Sequence, residues 1–517
     1  MSAEEMMHSF DIAVIGSGFS GSLLAMAARR LGLRVILIER AQHPRFAIGE
    51  STTPLTNLLL EEFAREFDLP EVACLSKWST WQARHPEVSC GLKRGFTFYH
   101  HRPGALFHDD HSRQSQLLVA ASPNERVADT HWYRPDLDHF LWRQAESLGA
   151  VCWQNASIES LERRADSWEL GIHHEGSTRP LRAKLLVDAS GPRGFLFQRL
   201  GLKEERFPTL PDTCSLFAHF RNVRRTVDLT EFQSTEVPPY APDDAAVHHV
   251  FDGGWIWVLR FNNGLTSAGA ALTPEGAKGI DLSKGAQSWT RILESLPSVR
   301  RQFEGSQAVT PFVHQPRMPF LCSPMSGPGW ILLPSAAGFV DPLFSSGFPL
   351  VLLGLHRLMR TLRTQWNTPT LDAGLEACAS ETRADALRAA RLVGGIYQTL
   401  SDPEKLFSLA RLYFAAVILT ETARKLGRPE LCGSGFLLRE KTTFSEAMDL
   451  CLDKAGSGTA EEVSRRVAEA VAPIDLARLC APERRNWIPV DFDDLRKAAD
   501  KVQASPAEIE NLIRGCR

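Results

Sequence analysis

The sequence lacks three features that would each point to a class of protein. Its 517 residues carry a net charge of only −3, which gives no electrostatic case for binding nucleic acid. Its ten cysteines form no CxxC pair, so neither a zinc site nor a disulfide scaffold is expected, and no metal is predicted. Its apolar runs, such as FPLVLLGL at 348–355, are far shorter than a membrane span.

The N-terminal segment MSAEEMMHSF is acidic and has no apolar stretch, so no signal peptide is expected. The composition, 44% hydrophobic and 23% charged, is that of an ordinary globular protein. Together with the missing disulfide pattern, these features predict a cytoplasmic protein with reduced thiols and no membrane span.

A dinucleotide-binding unit stands near the start of the chain. The segment DIAVIGSGFSGSLLAMAARRLGLRVILIER, residues 11–40, predicts a strand, a glycine turn, a helix and a second strand. Gly16 allows the tight turn, Gly18 lets the backbone approach a pyrophosphate, and Gly21 lets the helix pack on the strand. Glu39, which ends the second strand, would accept hydrogen bonds from a ribose hydroxyl. The ordered set predicts an ADP-containing dinucleotide.

Three later segments indicate which dinucleotide it is. HWYRPDLDHFLWRQAESLGA, LLVDASGPRGFL and GWILLPSAAGFVDPLFSSGFPLVLLGLHRLMRTL begin at residues 131, 185 and 329. They resemble cofactor-contacting segments of the FAD enzymes that include aromatic hydroxylases, geranylgeranyl reductases and flavin-dependent halogenases. The resemblance implies FAD as the cofactor, with Arg134, Asp341 and Pro342 near it. Family members usually carry Gly-Asp where this chain has Pro334-Ser335.

The same resemblance implies the architecture. It is an α/β fold with a Rossmann-like FAD-binding domain of the aromatic-hydroxylase type, a β-rich substrate-side sheet and a C-terminal helical region. We expect a discontinuous FAD-binding domain at 8–205 and 321–370, with 90–130 contributing to the substrate side. Residues 206–320 would form the β-rich domain, and 371–517 the helical one.

The motif IGESTTP, residues 48–54, is similar to a Gly-Glu-Ser motif with a nearby Pro in flavin-dependent halogenases. It follows the second strand of the dinucleotide unit, as it does in that family. The resemblance implies that Gly49 and Ser51 belong to the cofactor site.

The loop DPLFSSG, residues 341–347, resembles the halogenase loop that lies against the flavin ring. The resemblance implies that the backbone amides of Ser346 and Gly347 cradle a halide, and amides at a helix start do form anion sites. Phe344 stands where tryptophan-specific halogenases carry a glutamate. This favours the branch that acts on phenols and pyrroles.

The segment GWIWVLR, residues 254–260, nearly matches the halogenase motif Gly-Trp-x-Trp-x-Ile-Pro. Strand alternation places Trp255 and Trp257 on one face. In the family these indoles keep substrate away from the flavin, which their volume alone could achieve. Leu259 replaces the Ile and Arg260 replaces the Pro. Because Arg260 faces the other side from Leu259, it could point outward without consequence.

Halogenases also use a lysine that hydrogen-bonds hypohalous acid, or forms a chloramine with it, and directs the electrophilic halogen onto the substrate ring. A lysine suits this task because its ammonium donates hydrogen bonds and burial can lower its pKa. Lys93, in GLKRGFTFYHH, resembles the Lys-x-Gly-x-Thr-Phe segment of phenolic-type halogenases. Lys77, in LSKWSTW, lies at the commoner family spacing, and either lysine could be a solvated surface residue. Lys93 is the preferred prediction.

The resemblance therefore implies a halogenase-like oxidoreductase of secondary metabolism. It would use reduced FAD, O2 and chloride or bromide to halogenate an electron-rich aromatic molecule, free or bound to a carrier protein. Because no second nucleotide-binding fingerprint is present, a separate NAD(P)H-dependent flavin reductase is expected to supply the reduced FAD. The alternative is an FAD-dependent monooxygenase or reductase that does not halogenate.

Overall fold

The structure is a computed structural model, and it describes residues 8–109 and 111–516. The strands are β1 His8–Ile15, β2 Val35–Ile38, β3 Cys90–Lys93, β4 Gly95–His100, β5 Gln116–Ala120, β6 Asp129–Trp132, β7 Val151–Trp153, β8 Ser157–Arg163, β9 Trp168–His174, β10 Ser177–Asp188, β11 Lys203–Glu205, β12 Cys214–Arg221, β13 Ala246–Phe251, β14 Gly254–Arg260, β15 Thr266–Leu272, β16 Gln307–Ala308, β17 Val313–Gln315, β18 Phe320–Ser323, β19 Ser326–Gly327, β20 Trp330–Leu332, β21 Gly338–Phe339 and β22 Trp487–Ile488.

The helices are α1 Phe19–Arg30, α2 Pro54–Glu66, α3 Pro70–Ala73, α4 Trp78–Arg84, α5 Arg134–Ser147, α6 Phe195–Arg199, α7 Ala286–Glu294, α8 Pro297–Gln302, α9 Pro334–Ala337, α10 Gly347–Gln365, α11 Leu371–Tyr397, α12 Pro403–Lys425, α13 Thr442–Asp453, α14 Ala460–Val471, α15 Phe492–Lys497 and α16 Pro506–Cys516. The predicted order of strand, glycine turn, helix and strand at the start is confirmed as β1, α1 and β2.

The first large sheet carries the dinucleotide unit. Its strand order is β19-β20-β10-β1-β2-β7, and β9 pairs with both β10 and β8. In β1, Ile12 pairs in parallel with Leu185 of β10 on one side and Val35 of β2 on the other. The apolar residues of these strands are buried on both faces, which explains their nearly continuous hydrophobic runs. The Rossmann-like α/β prediction is confirmed.

The second large sheet has the order β16-β12-β15-β14-β13-β4-β5-β22, with β17 pairing with β12. The strand β4 pairs in parallel with β13, which brings segment 95–100 next to the strand that neighbours β14. Its two faces pack differently. Trp255 and Trp257 belong to the core shared with the first sheet, whereas Ile256 and Val258 pack toward α7 and α8.

A two-stranded sheet of β3 and β6 lies beside the second sheet, with Lys93 directly opposite Asp129. At Gly91 a Cβ would lie 1.8 Å from the carbonyl oxygen of Arg260, so only glycine lets β3 approach the end of β14 this closely. The small sheet therefore carries Lys93 to the edge of the strand that bears the two tryptophans.

The C-terminal part of the described chain is mainly helical. Helix α10 packs against α11, and α12 packs against α14 and α2. Helix α12 is long and apolar enough to cross a membrane, but 78% of its most apolar window is buried inside the protein. It is the one such helix within residues 8–109 and 111–516. The domain boundaries given above stay a prediction.

Candidate active site

A cavity of about 500 Å³ runs between the two large sheets. It begins at the glycine turn before α1, passes the segment 45–51 and Arg134, and reaches the loop before α10. Trp255 and Trp257 form part of its wall. Every cluster of cofactor residues named from the sequence thus lines this cavity or lies next to it.

The three glycines at its first end are required for different reasons. At Gly16 (φ 97°) a Cβ would lie 2.7 Å from the carbonyl oxygen of Ala189, and at Gly21 it would lie 2.0 Å from that of Gly16. Packing alone therefore requires a glycine at both Gly16 and Gly21. At Gly18 the nearest atom to a Cβ is a guanidinium nitrogen of Arg134, 3.4 Å away. Because Gly18 opens onto the cavity at the start of α1, its missing side chain leaves room for a phosphate on the helix N-terminus.

Glu39 lies at the end of β2, as predicted, and its carboxylate is already hydrogen-bonded. It accepts bonds from the Ser17 amide at 3.1 Å, the Ser17 hydroxyl at 3.0 Å and Arg45 at 3.0 Å. Burial alone would raise the pKa of Glu39, but Arg45 and the amides of Ala41 and Ser17 outweigh it and hold the pKa below its usual value. The group is an anion, and a ribose hydroxyl would join these donors.

Arg134, the first residue of α5, ties the segment 45–51 to the helix. Its guanidinium donates to both carboxylate oxygens of Asp138, at 2.9 and 2.8 Å, and to the carbonyls of Ile48 and Gly49, both at 3.0 Å. The side chain is nearly buried and borders the cavity. Arg134 therefore orders the stretch that contains the Gly-Glu-Ser motif.

The loop before α10 has an unusual backbone. Phe344 and Ser345 both have positive φ, at 62° and 54°. Such conformations cost about 1–3 kcal/mol each and persist only where the surroundings enforce them. Here the hydroxyl of Tyr413 donates to the Phe344 carbonyl at 2.9 Å, and the two rings stack with centroids 4.6 Å apart. The bend places Ser346 and Gly347 at the start of α10, on the cavity wall.

A chain of buried hydrogen bonds joins this loop to the tryptophans. The Trp255 indole donates to the Tyr397 hydroxyl at 2.9 Å, and that hydroxyl donates to Asp341 at 2.9 Å. Asp341 also accepts a bond from the Leu343 amide at 3.0 Å. Burial raises the pKa of Asp341 to about 7. Tyr397 ends α11, and no sequence motif marked it.

The two tryptophans face the same side of β14, as the alternation predicted. Their ring centroids are 5.8 Å apart. At Gly269 in β15 a Cβ would lie 2.3 Å from the Trp257 ring, so this glycine makes room for the indole. The Trp257 indole donates to the Ser267 hydroxyl at 3.3 Å. Both rings are therefore fixed in the cavity wall.

Lys93 is fully buried on β3. Its ammonium donates to the Ser51 hydroxyl at 2.9 Å and to the Thr52 carbonyl, and it lies 3.8 Å from the centroid of the Phe96 ring. Ser51 lines the cavity, whereas Lys93 is not among its lining residues in the described chain. The Ser51 side chain therefore stands between the lysine and the cavity.

Lys77 occupies a different setting. Its side chain is 41% exposed and lies 3.4 Å from Glu61, at the start of α4. A cluster of possible metal ligands, Glu71, Cys74 and His85, lies near this helix. Glu71 is already paired with Arg84 at 2.6 Å and with His85 at 2.8 Å, so its charge is neutralised without a metal.

Arg260 corrects one sequence-based expectation. It does lie on the opposite side of β14 from the cavity, but it is not without consequence. Its guanidinium donates to the Val223 carbonyl at 2.9 Å, to the Arg224 carbonyl and to Asp243 at 3.3 Å. The Asp243 side chain is buried. Arg260 therefore anchors the loop between β12 and β13, because buried polar groups there need partners.

The family model for FAD-dependent oxidoreductases matches residues 11–340. The match covers well over half of the chain, and the chain belongs to this family. The cavity can hold the family's cofactor, FAD, because it extends from the glycine turn at the start of α1 to the start of α10.

Two curated relatives are halogenases. Tetracycline 7-halogenase of Kitasatospora aureofaciens is 33% identical over 345 residues, which are 65% of this chain and 60% of the relative. Monodechloroaminopyrrolnitrin halogenase PrnC of Pseudomonas fluorescens is 30% identical over 372 residues, which are 70% of this chain and 63% of the relative. The chain thus spans about three fifths of the length of these two relatives.

Solved structures of the halogenase PltM share the fold. One aligns with a TM-score of 0.82 and 24% identity, covering 92% of this chain and 99% of PltM. Another, a complex with phloroglucinol and FAD, aligns with a TM-score of 0.73 and covers 98% of this chain. The likeness extends over the C-terminal helices, which the family model does not reach.

Proposed function

We propose that this oxidoreductase is a flavin-dependent halogenase. It would use reduced FAD, O2 and chloride or bromide to halogenate an electron-rich aromatic molecule of the phenol or pyrrole type. The similarity to two curated halogenases supports this proposal, as do the apolar Phe344 and the buried Lys93. The substrate is either free or bound to a carrier protein.

The residues divide the work along the cavity. FAD, when bound in reduced form, supplies the electrons that activate O2 for oxidation of the halide. The amides of Ser346 and Gly347 hold the halide at the start of α10. Trp255 and Trp257 exclude the aromatic substrate from the cavity by their volume. Lys93 receives the hypohalous acid and donates hydrogen bonds to it while the ring attacks.

The residues that hold FAD extend from the end of the cavity before α1. Gly16, Gly18 and Gly21 form the phosphate turn, and Glu39 accepts a hydrogen bond from the ribose. Gly49, Ser51, Arg134, Asp341 and Pro342 border the flavin half. Gly18 and these five residues line the cavity, and that placement supports the assignment.

The position of Lys93 carries the proposal. Burying an ammonium costs free energy, so a fully buried one indicates a functional role. The Lys93 ammonium is separated from the cofactor cavity by a single serine side chain. Lys77, by contrast, is exposed and paired with a surface carboxylate. A buried amine one side chain away from the site where an oxidant forms is what selective halogen transfer needs.

The supply of reduced FAD is assigned to a separate NAD(P)H-dependent flavin reductase, because the chain carries one nucleotide-binding fingerprint. We place the protein in the cytoplasm, in keeping with its ten free cysteines.

Mass spectrometry of reaction products tests this function. The protein is incubated with FAD, a flavin reductase, NADH, bromide or chloride, and a panel of phenols and pyrroles. Lys93→Met preserves side-chain volume while removing the ammonium, and Lys77→Met is the matched control. We expect a halide-dependent mass gain that Lys93→Met abolishes and Lys77→Met leaves unchanged.

Other outcomes would overturn one or another element of the proposal. An oxygen mass gain that ignores halide identifies a monooxygenase on the same scaffold. Halogenation that persists in Lys93→Met removes the lysine assignment and indicates freely diffusing oxidant. Loss of product in Lys77→Met alone transfers the role to Lys77.

A further inference from the structure

The small sheet of β3 and β6 presents a buried polar face. Lys93 and Asp129 are direct partners across the two strands, and His131 stands opposite Gly91 two residues further along. Lys93 and His131 are fully buried, and Asp129 is 4% exposed. In an antiparallel pair, directly opposite side chains point to the same side, so the amine and the carboxyl share one dry environment.

Asp129 is held in place from the other side. The side-chain amide of Asn57, on α2, donates to one oxygen of Asp129 at 2.7 Å. The second carboxylate oxygen is buried and has no hydrogen-bond partner in the described parts of the chain. Native proteins seldom leave such an oxygen unpaired without a functional reason. Asn57 lies three residues after the Gly-Glu-Ser-Thr-Thr-Pro segment that also supplies both hydrogen-bond partners of Lys93.

The direct contacts of Lys93 carry no negative charge. They are a serine hydroxyl, a backbone carbonyl and the face of Phe96. Of the other ionisable groups nearby, burial and the Lys93 charge lower the pKa of His131 well below its usual value and that of His248 to about 3, so both rings are neutral at working pH. Asp129 is the carboxylate that acts on Lys93 electrostatically.

Asp129 also faces helix α12. Glu421 and Lys425 of that helix form an ion pair with each other and act on Asp129 with opposite signs. The Tyr413 hydroxyl is buried near the same carboxyl. Of the charges around Asp129, that of Lys93 acts most strongly, and those of Glu421 and Lys425 oppose each other.

We propose that Asp129 is the counter-ion that keeps Lys93 an ammonium, and that Asn57 positions this carboxylate. The inference rests on the proposed role of Lys93 and deepens it. Asp129 acts through the lysine and is a positioning residue. An ammonium donates charge-assisted hydrogen bonds to hypohalous acid, whereas a neutral amine would attack its halogen, break the halogen–oxygen bond and form a haloamine and water.

The directions of the two pKa shifts agree with this pairing. Burial lowers the pKa of Lys93, and the Asp129 charge opposes that shift. Burial raises the pKa of Asp129, and the Lys93 charge opposes that shift in turn. Each group thus supports the ionised form of the other in surroundings that disfavour both charges.

Asp129→Asn removes the charge while keeping the shape and the bond to Asn57. Two assays on the full chain with FAD, a flavin reductase and bromide separate its effects. One measures the brominated phenol, and the other measures hypobromous acid released to a small 1,3-diketone scavenger. We expect phenol bromination to fall by about tenfold at about pH 8, with hypobromous acid release within about twofold of wild type. The alkaline limb of the bromination profile should move down by about one pH unit, with an unchanged KM for the phenol.

Three further variants control the result. Glu61→Gln makes the same chemical change on α2, at a carboxylate that pairs with Arg65 and Lys77, and should leave the profile within about 0.3 pH units of wild type. Asp129→Glu restores a carboxylate and should recover the wild-type alkaline limb. Asn57→Ala keeps the charge of Asp129 but removes the amide that holds the carboxylate in place. It should shift the alkaline limb down, as Asp129→Asn does, by a smaller amount.

A wild-type alkaline limb in Asp129→Asn would overturn the counter-ion role. If that variant does not fold, Asn57→Ala provides the test. An unshifted alkaline limb in the bromination profile of Asn57→Ala would also overturn the counter-ion role. Failure of the proposed function looks different, because wild type would then give no halide-dependent product or Lys93→Met would retain it. An increase in bromination by Asp129→Asn would show that the neutral amine is the active form.

Discussion

The bend that presents Ser346 and Gly347 depends on one hydroxyl group. Removing it with Tyr413→Phe leaves the buried carbonyl of Phe344 without its partner at 2.9 Å, while the stacked ring stays. An unsatisfied buried acceptor costs about 1–3 kcal/mol. That is as large as the strain of about 1–3 kcal/mol that each positive-φ residue stores. We therefore expect the loop to relax, and since 1.4 kcal/mol is a factor of ten, halide affinity should fall by about tenfold.

The assay is the KM for bromide in the coupled reaction, with the KM for the aromatic substrate measured alongside. Tyr240→Phe is the matched control, because the Tyr240 hydroxyl donates to the Phe96 carbonyl, another buried acceptor, away from the loop. Both variants should lower the melting temperature, but only Tyr413→Phe should raise the KM for bromide. An unchanged KM for bromide in Tyr413→Phe would show that the hydroxyl stabilises the fold alone and that the reasoning about loop strain is wrong.

Three other changes give separate tests. Arg260→Ala strands the buried Asp243 and should lower the free energy of unfolding by about 3 kcal/mol in a urea titration, without changing the KM for halide. Gly91→Ala drives a Cβ into the Arg260 carbonyl, so it should displace β3 and reduce halogenation by about tenfold, through Lys93, with FAD affinity unchanged. Burial raises the pKa of Asp341 to about 7, above its unfolded value near 4, so its contribution to stability is complete below about pH 4 and is lost as the pH rises through about 7. Asp341→Asn should flatten that part of the pH dependence in urea unfolding of the apoprotein.

The sequence was most informative where the structure is local. Three glycines, two strands and a terminal Glu39 lie within one stretch of the chain, and β1, α1 and β2 form as that stretch predicts. The alternation in β14 placed both tryptophans on one face for the same reason. The roles assigned to these side chains stay predictions, although they converge on one cavity.

The sequence predicted less where a residue's surroundings depend on segments far away in the chain. Only a resemblance favoured Lys93 over Lys77 in the sequence, because the burial of Lys93 arises only when β3 pairs with β6. Asp129 comes within reach of the lysine through the same pairing. Tyr397 lies 142 residues from its partner Trp255, and Tyr413 lies 69 residues from Phe344, each on a helix without a motif. Arg260 could be placed on a face but not assigned a partner, since its partners belong to a loop whose path the sequence does not reveal.

The two tyrosines that hold the loop come from helices beyond residue 340, where the family model ends. A gene that kept every fingerprint up to α10 and exchanged the helices after it would still be found by any motif search. Its loop would carry the same letters, DPLFSSG, without the two hydroxyls that fix its shape. Surveys of genomes and designs of chimeric enzymes should therefore treat the loop, Tyr397 and Tyr413 as one set. The motif DPLFSSG alone is not sufficient evidence that a chain forms this loop.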